Sequence, residues 1–177
     1  MKKTFLITAF APFIFTTSAW ASDYSSGVVN FMGTINSNAC VVDNSSAAQT
    51  IPLGDIPVAL FSNQGTVTSE VNFDIQLLNC STETFNNATV TFTGETVSGN
   101  ASVLALLEDG ETPASGVGVQ ILQNGTKLNF DGSNATPAFT IVEGTNVMSF
   151  SAQYISVAEN VTPGSANATA KFVVNYN

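Results

Sequence analysis

Arginine and histidine are absent from the 177-residue chain, and lysine occurs only at Lys2, Lys3, Lys127 and Lys171. Thirteen Asp and Glu oppose these four cations, giving a formal net charge of −9. A nucleic-acid partner requires a basic footprint, and there is none. An anionic membrane surface would repel the chain for the same reason. Without histidine, Ser-His and Cys-His nucleophilic pairs cannot be built. A Ser–Lys dyad on Lys127 or Lys171 is open in principle, but both lysines sit in strand-like surface patterns. No pair of carboxylates is nominated for glycoside hydrolysis. The densest acidic run, Glu108-Asp109-Gly110-Glu111, departs from calcium-loop spacing and reads as a solvated loop.

Long apolar runs are also lacking. Phe5 to Phe15 is apolar apart from Thr8 and too short to span a bilayer. It follows the basic pair Lys2-Lys3 and precedes Ala19-Trp20-Ala21, the layout of a secretory signal cut after Ala21. Residues 1–21 are therefore expected to be a signal peptide, with a mature chain starting near Ser22 and exported from the cytoplasm, without insertion in the membrane. Removing Lys2 and Lys3 leaves two lysines against thirteen acids, 2 − 13 = −11.

Only two cysteines are present, Cys40 and Cys80. In an exported chain a disulfide is the default reading; a free thiol pair or a metal half-site is the alternative, and two thiolates without histidine make a poor metal site. A bridge closing a loop of this length would stabilise by about 4 kcal/mol in the chain-entropy picture. No metal or other cofactor is expected.

Helical periodicity is scarce, and alternation with period two is everywhere. Val71-Phe73-Ile75-Leu77 and Ala88-Val90-Phe92 are candidate strands. Val117-Val119-Ile121 and Leu128-Phe130 flank Asn124-Gly125, a type I′ hairpin signal. Val147 to Ile155 and Ala170-Phe172-Val174-Tyr176 follow. Gly, Asn, Ser, Thr and Pro clusters separate them, as turn chemistry requires. The pattern predicts an all-β sandwich, with a helical turn possible at Val103 to Leu107. Eight Asn-x-Ser/Thr matches (Asn44, Asn79, Asn87, Asn100, Asn124, Asn134, Asn160, Asn167) read as turn and surface composition in a chain this rich in Asn, Ser and Thr.

Before Cys40 lies an extended segment, Gly27-Val28-Val29-Asn30-Phe31-Met32-Gly33-Thr34-Ile35, one face of which carries Gly27, Val29, Phe31, Gly33 and Ile35. At the far end the chain stops inside a strand, with Tyr176 penultimate. On pattern alone, Val29 and Phe31 could also form an ordinary first strand, Gly164 after Pro163 could be a plain turn, and Tyr176 could be an ordinary strand residue.

Taken together and in order, these features resemble the major pilins of type 1-like fimbriae, assembled by the chaperone–usher pathway. The resemblance spans essentially the whole chain. It rests on the glycine-led segment Gly27–Gly33, the forty-residue spacing of Cys40 and Cys80, Gly164 within Thr162-Pro163-Gly164-Ser165-Ala166-Asn167-Ala168, the segment Val117-Gly118-Val119-Gln120-Ile121, and penultimate Tyr176. It implies an incomplete immunoglobulin-like β-sandwich, residues 36–177, lacking its final strand. Residues 22–35 would be the N-terminal extension, whose Gly27, Val29, Phe31, Gly33 and Ile35 form a donor strand for a neighbouring subunit. Gly164, Ala170, Phe172, Val174 and Tyr176 would line the groove and be read by a periplasmic chaperone. Gly164 could then serve a bend or admit a bulky donor residue. Assembly at an outer-membrane usher would yield a surface fimbria that supports cell adhesion. The alternative within the pathway is a minor, adaptor or adhesive pilin with a receptor-binding role. Two-domain tip adhesins carry an additional lectin domain and lack a donor strand, unlike this layout. A secreted carbohydrate-active enzyme is a third reading, from a different class, which the missing residue types disfavour.

Overall fold

Period-two patterning becomes strand structure along most of the computed structural model, which describes residues 26–35 and 38–177. The expected signal, residues 1–21, and residues 22–25 lie outside the described residues. The elements are β1 Val41–Val42, α1 Asn44–Ala47, a 3₁₀ turn Val58–Leu60, β2 Val71–Cys80, β3 Asn87–Thr93, β4 Thr96–Val97, β5 Asn100–Leu104, β6 Val117–Gln123, β7 Thr126–Lys127, β8 Asp131–Ala135, β9 Phe139–Thr140, β10 Gly144–Ser156 and β11 Lys171–Tyr176.

The chain divides into two units, Met1–Ile35 and Asn36–Asn177. In the first, residues 26–35 adopt neither helix nor strand, and Val28, Val29, Phe31, Met32 and Ile35 are all exposed. The second unit holds two antiparallel sheets. One runs β1-β2-β10-β6-β5-β4, with β7 also paired to β6; the other runs β11-β3-β8, with β9 on β3.

Alternation decides which side chains enter the core. In β3, Ala88, Val90 and Phe92 are buried; in β2, Ile75 and Leu77 are fully buried. In the same sheet as β2, β10 adds Met148, Phe150, Ala152 and Tyr154 to this core. Phe92 of one sheet meets Phe150 of the other edge-on at 5.3 Å, and Phe73 stacks on Phe150 at 5.6 Å. Such ring pairs add about 0.5–1.5 kcal/mol each beyond their burial. Asn124 and Gly125 both adopt positive φ, 51° and 76°, between the pairs Gln123–Thr126 and Leu122–Lys127. This is the two-residue hairpin expected from Asn-Gly, because a I′ turn needs positive φ at both central residues. Strand β7 ends at Lys127, but the buried Leu128 still donates its N–H to Ile121 O at 3.0 Å, and the buried Phe130 donates to Ala101 O at 2.8 Å.

The helical turn expected at Val103 to Leu107 does not form. Asn100–Leu104 is β5, with Val103 and Leu104 buried and Leu104 opposite Val119 of β6. Beyond it the Ala105 N–H donates to Glu95 O at 2.8 Å and the Leu107 N–H to Asn167 O at 2.8 Å. Tertiary pairing outweighs the weak helical preference of a Leu-Ala-Leu-Leu stretch. Among the described residues the one α-helical turn is α1, where Asp43 is the N-cap and accepts from the Ser45 N–H at 3.0 Å.

Candidate functional site

Cys40 and Cys80 are joined by a disulfide, with Cα atoms 4.1 Å apart. The bond lies where β1 begins and β2 ends, and β1 pairs with β2 (Val41 opposite Leu78). After Val42 the chain leaves this ladder. The Ser46 hydroxyl takes the Gln76 N–H at 2.9 Å, and the Gln49 amide donates to Asp74 O at 3.2 Å. Side chains thus satisfy the margin of β2, while the main chain runs on as an unpaired wall. Among the described residues, no backbone–backbone hydrogen bond is made by residues 50–56.

The opposite wall is β11 and its approach. Asn87 and Asn177 exchange both backbone hydrogen bonds, each 3.0 Å. In an antiparallel ladder such pairs alternate. The register then makes Asn175–Thr89, Val173–Thr91 and Lys171–Thr93 the bonded pairs. The N–H and C=O groups of Phe172, Val174 and Tyr176 therefore point away from β3, to an edge where no described strand pairs. The side chains of these three residues are half-buried toward the core, and those of Lys171, Val173 and Asn175 are exposed. β11 is an open edge with a full row of main-chain donors and acceptors and an apolar inner face.

Between the two walls lies a groove of about 1270 Å³. Its floor is the core face itself: Phe73, Phe92, Leu104, Val119, Ile121, Ala152 and Tyr154. Val42 to Asp55 supplies one side and Ala166 to Val173 the other. Phe172 lies 6.2 Å from Phe92, extending the aromatic chain of the core into the groove. A second cavity of about 400 Å³ adjoins it, lined by Ile56, Val58, Phe61, Val117, Val161 and Gly164 among others. Tyr154, Gly54, Asp55, Ala166 and Asn167 border both cavities. The Tyr154 hydroxyl donates to Ala166 O at 2.9 Å and so forms a partition between them. Burial, then the Asp55 carboxylate, pushes the Tyr154 hydroxyl pKa up; burial does the same for Tyr176. Both phenols stay protonated donors at neutral pH.

Of the residues singled out from sequence, Ala170 and Phe172 line the large groove and Gly164 the small cavity. Val174 and Tyr176 pack against the core beyond the groove's end, and the Tyr176 hydroxyl reaches Cys40 O at 3.3 Å. Gly164 has a reason of its own: a Cβ there would lie 2.4 Å from Ala114 N and 2.5 Å from Thr112 O. It is needed for close backbone approach to residues 112–114. Glu111, read from sequence as a solvated loop residue, is exposed and lines the small cavity. Sequence reading missed the whole wall from Val42 to Asp55 and the partition residue Tyr154. The alternation Ile51, Leu53 was the available signal for the wall, obscured by Pro52 and Gly54.

Among the described residues no cluster of His, Cys, Asp and Glu could hold a metal, and no helix is long and apolar enough to cross a membrane.

Comparison with known proteins adds a family. A profile described as fimbrial protein matches residues 29–177. The S-fimbrial protein subunit of Escherichia coli O6:K15:H31 is 38% identical over 162 residues, 91% of this chain and 89% of that one. The type-1 fimbrial protein A chain of Escherichia coli K12 is 39% identical over 160 residues, 89% of this chain and 87% of the other. Among solved structures, a chaperone–usher pilus studied for rod uncoiling aligns with a TM-score of 0.72 and 27% identity, over 90% of this chain and 100% of that one.

Proposed function

The chain belongs to the fimbrial protein family and is a structural subunit of a surface fimbria; from that premise we propose that it polymerises by donor-strand exchange, residues 22–35 of one copy filling the slot of the next. The observation that carries this reading is the open edge of β11 beside a groove whose floor is the hydrophobic core. A β-sandwich with a strand-wide gap over Phe73, Phe92 and Ile121 calls for a strand. The extension is that strand in chemistry. Val29, Phe31 and Ile35 lie on one face and are exposed at 73%, 91% and 102%. Burying each would contribute roughly 1.5–3 kcal/mol. On one side the incoming strand would bond the outward N–H and C=O groups of β11, and on the other the unpaired main chain of residues 50–56.

Direction follows from the two cavities. The small one offers Ile56, Val58, Phe61, Val117 and Val161 among polar lining residues, and of the two ends of the extension's apolar face only Ile35 offers a large side chain. Ile35 therefore enters beside Gly164, Gly33 passes the Tyr154–Ala166 partition, and the strand runs antiparallel to β11. Until that exchange the slot is an aggregation hazard. A periplasmic chaperone that covers it, and an outer-membrane usher where the exchange occurs, are part of the proposal. So are removal of residues 1–21 as a signal peptide, passage through the periplasm, and the absence of catalysis.

The test is a mature chain carrying a second copy of Ser22 to Ile35 after Asn177 through a flexible linker. It should be monomeric and more stable than the unextended chain by several kcal/mol in denaturant unfolding. Equal stability of the two would refute the missing-strand reading.

A further inference from the structure

Ile35 and Ala39 are four residues apart (39 − 35), at most about 14 Å of chain. With Ile35 of one copy in the small cavity of the next, two surfaces are brought face to face. One is the donor's surface around Cys40; the other is the acceptor's rim around its small cavity.

Beside Cys40 stands the loop that leads into β10. Gly144 is opposite Cys80, whose sulfur is bound to Cys40. The loop is pinned at two points. The amide of Asn146, a residue only 4% exposed, accepts the Val142 N–H at 2.9 Å and donates to Val142 O at 2.7 Å. The Glu143 carboxylate accepts from the Thr82 N–H at 2.7 Å and the Thr82 hydroxyl at 2.6 Å. Both main-chain groups of Val142 are thus held by one buried amide, while its side chain is 58% exposed. Val41, next to Cys40, is 60% exposed. A lone exposed valine needs no explanation. One fixed in place by a buried amide, beside the point where the chain leaves for a neighbour, is built to meet a surface.

The acceptor's rim offers that surface. Val58 and Phe61 line the small cavity, and Leu60 between them is 49% exposed. Pro57 and Pro163 are exposed on the same rim. Charge cannot supply the attraction. Asp55 and Glu111 line the acceptor's cavity, and Glu83 and Glu143 stand on the donor's side. Lys127 and Lys171, the lysines among the described residues, lie elsewhere. Lys127 is opposite Leu122, and Leu122 opposite Ser151, seven residues along β10 from Gly144 (151 − 144). Lys171 is five residues past Ala166 (171 − 166) in the direction of β11. Two acidic surfaces with exposed apolar side chains have one attractive contact open to them, the apolar one.

We propose, resting on strand donation as read above, that Val142 and Val41 of the donor pack against Leu60 and the prolines of the acceptor's rim, a second contact between consecutive copies outside the slot. A few side chains bury too little to join two free copies, since stable interfaces bury roughly 1,200 Å² or more. Tethered by four residues, the surfaces meet at high effective concentration, and the contact acts within the fibre. It fixes one domain against the next and slows withdrawal of the strand.

The test compares fibres with a strand that brings no domain. Val142→Asp should speed dissociation of purified fibres on heating at least tenfold. The same substitution should leave the affinity of the refolded full chain for a labelled peptide of residues 22–35 within twofold. A chain carrying Val142→Cys and Leu60→Cys together should give fibres that, once oxidised, boiled and left unreduced, run as a ladder of multimers; either substitution alone can give dimers at most. Absence of the ladder overturns the proposal. Where the double variant makes no fibres, Val142→Asp decides, and fibres as durable as the unmodified ones overturn it. Failure of the peptide to bind the refolded unmodified chain overturns strand donation, and this contact with it. Peptide binding without a ladder leaves strand donation standing and removes only the contact.

Discussion

β8 and β11 flank the same strand, β3, and form the two outer edges of one sheet. β8 reads Asp-Gly-Ser-Asn-Ala, and every residue in it is exposed. The Asp131 carboxylate takes the Ser133 N–H at 2.9 Å and the Ser133 hydroxyl at 2.7 Å, satisfying its own margin locally. A register shift between Thr91 and Thr93 further breaks the ladder there. These are the features by which an edge refuses another strand: polar side chains, a charge, a glycine and irregular pairing. β11 has the opposite features. Its ladder to β3 is unbroken from Lys171 to Tyr176, its inner face is Phe172, Val174 and Tyr176, and the groove follows directly. Two edges of one sheet differ in what may join them, and side-chain chemistry over five or six residues makes the difference.

Substitutions that erase this contrast should act most strongly at β11. Phe172→Asp puts a carboxylate beside Phe92 on the groove wall, where a charge without a partner is costly to bury. We expect surface fibres and chaperone co-purification to be lost together; electron microscopy of cells and affinity pull-down read the two. Normal fibres from that variant would mean that β11 does not border the slot.

Replacing Cys40 and Cys80 together by Ser should rank next. The bond holds the wall facing β11, and closing a loop of about 40 residues stabilises by roughly 4 kcal/mol in the chain-entropy model. Denaturant unfolding of the strand-complemented chain measures this directly. Alkylation of the unreduced, unmodified protein should label neither cysteine.

At β8 the expected effect is small. Asp131→Ala removes the local bonds to Ser133 and should lower the melting temperature slightly while leaving fibre yield intact. If fibres are lost, the refusing edge has a role in assembly, and the contrast between the two edges needs redrawing.

The smallest effect concerns pH. The Thr82 hydroxyl and N–H hold the Glu143 carboxyl below the ordinary glutamate range. A carboxylate with a depressed folded-state pKa stabilises above its unfolded value, and that contribution fades as pH falls through the folded one. Glu143→Gln should therefore lower the melting temperature slightly near neutrality and flatten the acid limb, the two curves converging as pH falls below the ordinary glutamate range.

Most strands were legible because alternation in residues such as Ala88-Val90-Phe92 has a single physical reading, one face buried and one exposed. The Asn124-Gly125 hairpin was legible for a similar reason, since few residue pairs accept positive φ twice in succession. Val103 to Leu107 misled because a short apolar run suits either helix or strand, and only pairing with β4 and β6 chose between them.

What the amino-acid order determined alone was local: which stretches alternate, where turns fall, that no histidine chemistry exists, and that Val29, Phe31 and Ile35 would share one face if the segment were an extended strand. What the tertiary structure decided was which strand ends beside which. It set β11 at an edge with its even-numbered backbone groups facing outward, formed the second wall from Val42 to Asp55, and brought the Tyr176 hydroxyl to Cys40. These pairings join residues far apart in the chain, up to 136 positions for Tyr176 and Cys40. A local pattern carries no information about such distances, because closure of long loops depends on the packing of the whole core rather than on the residues at the two ends.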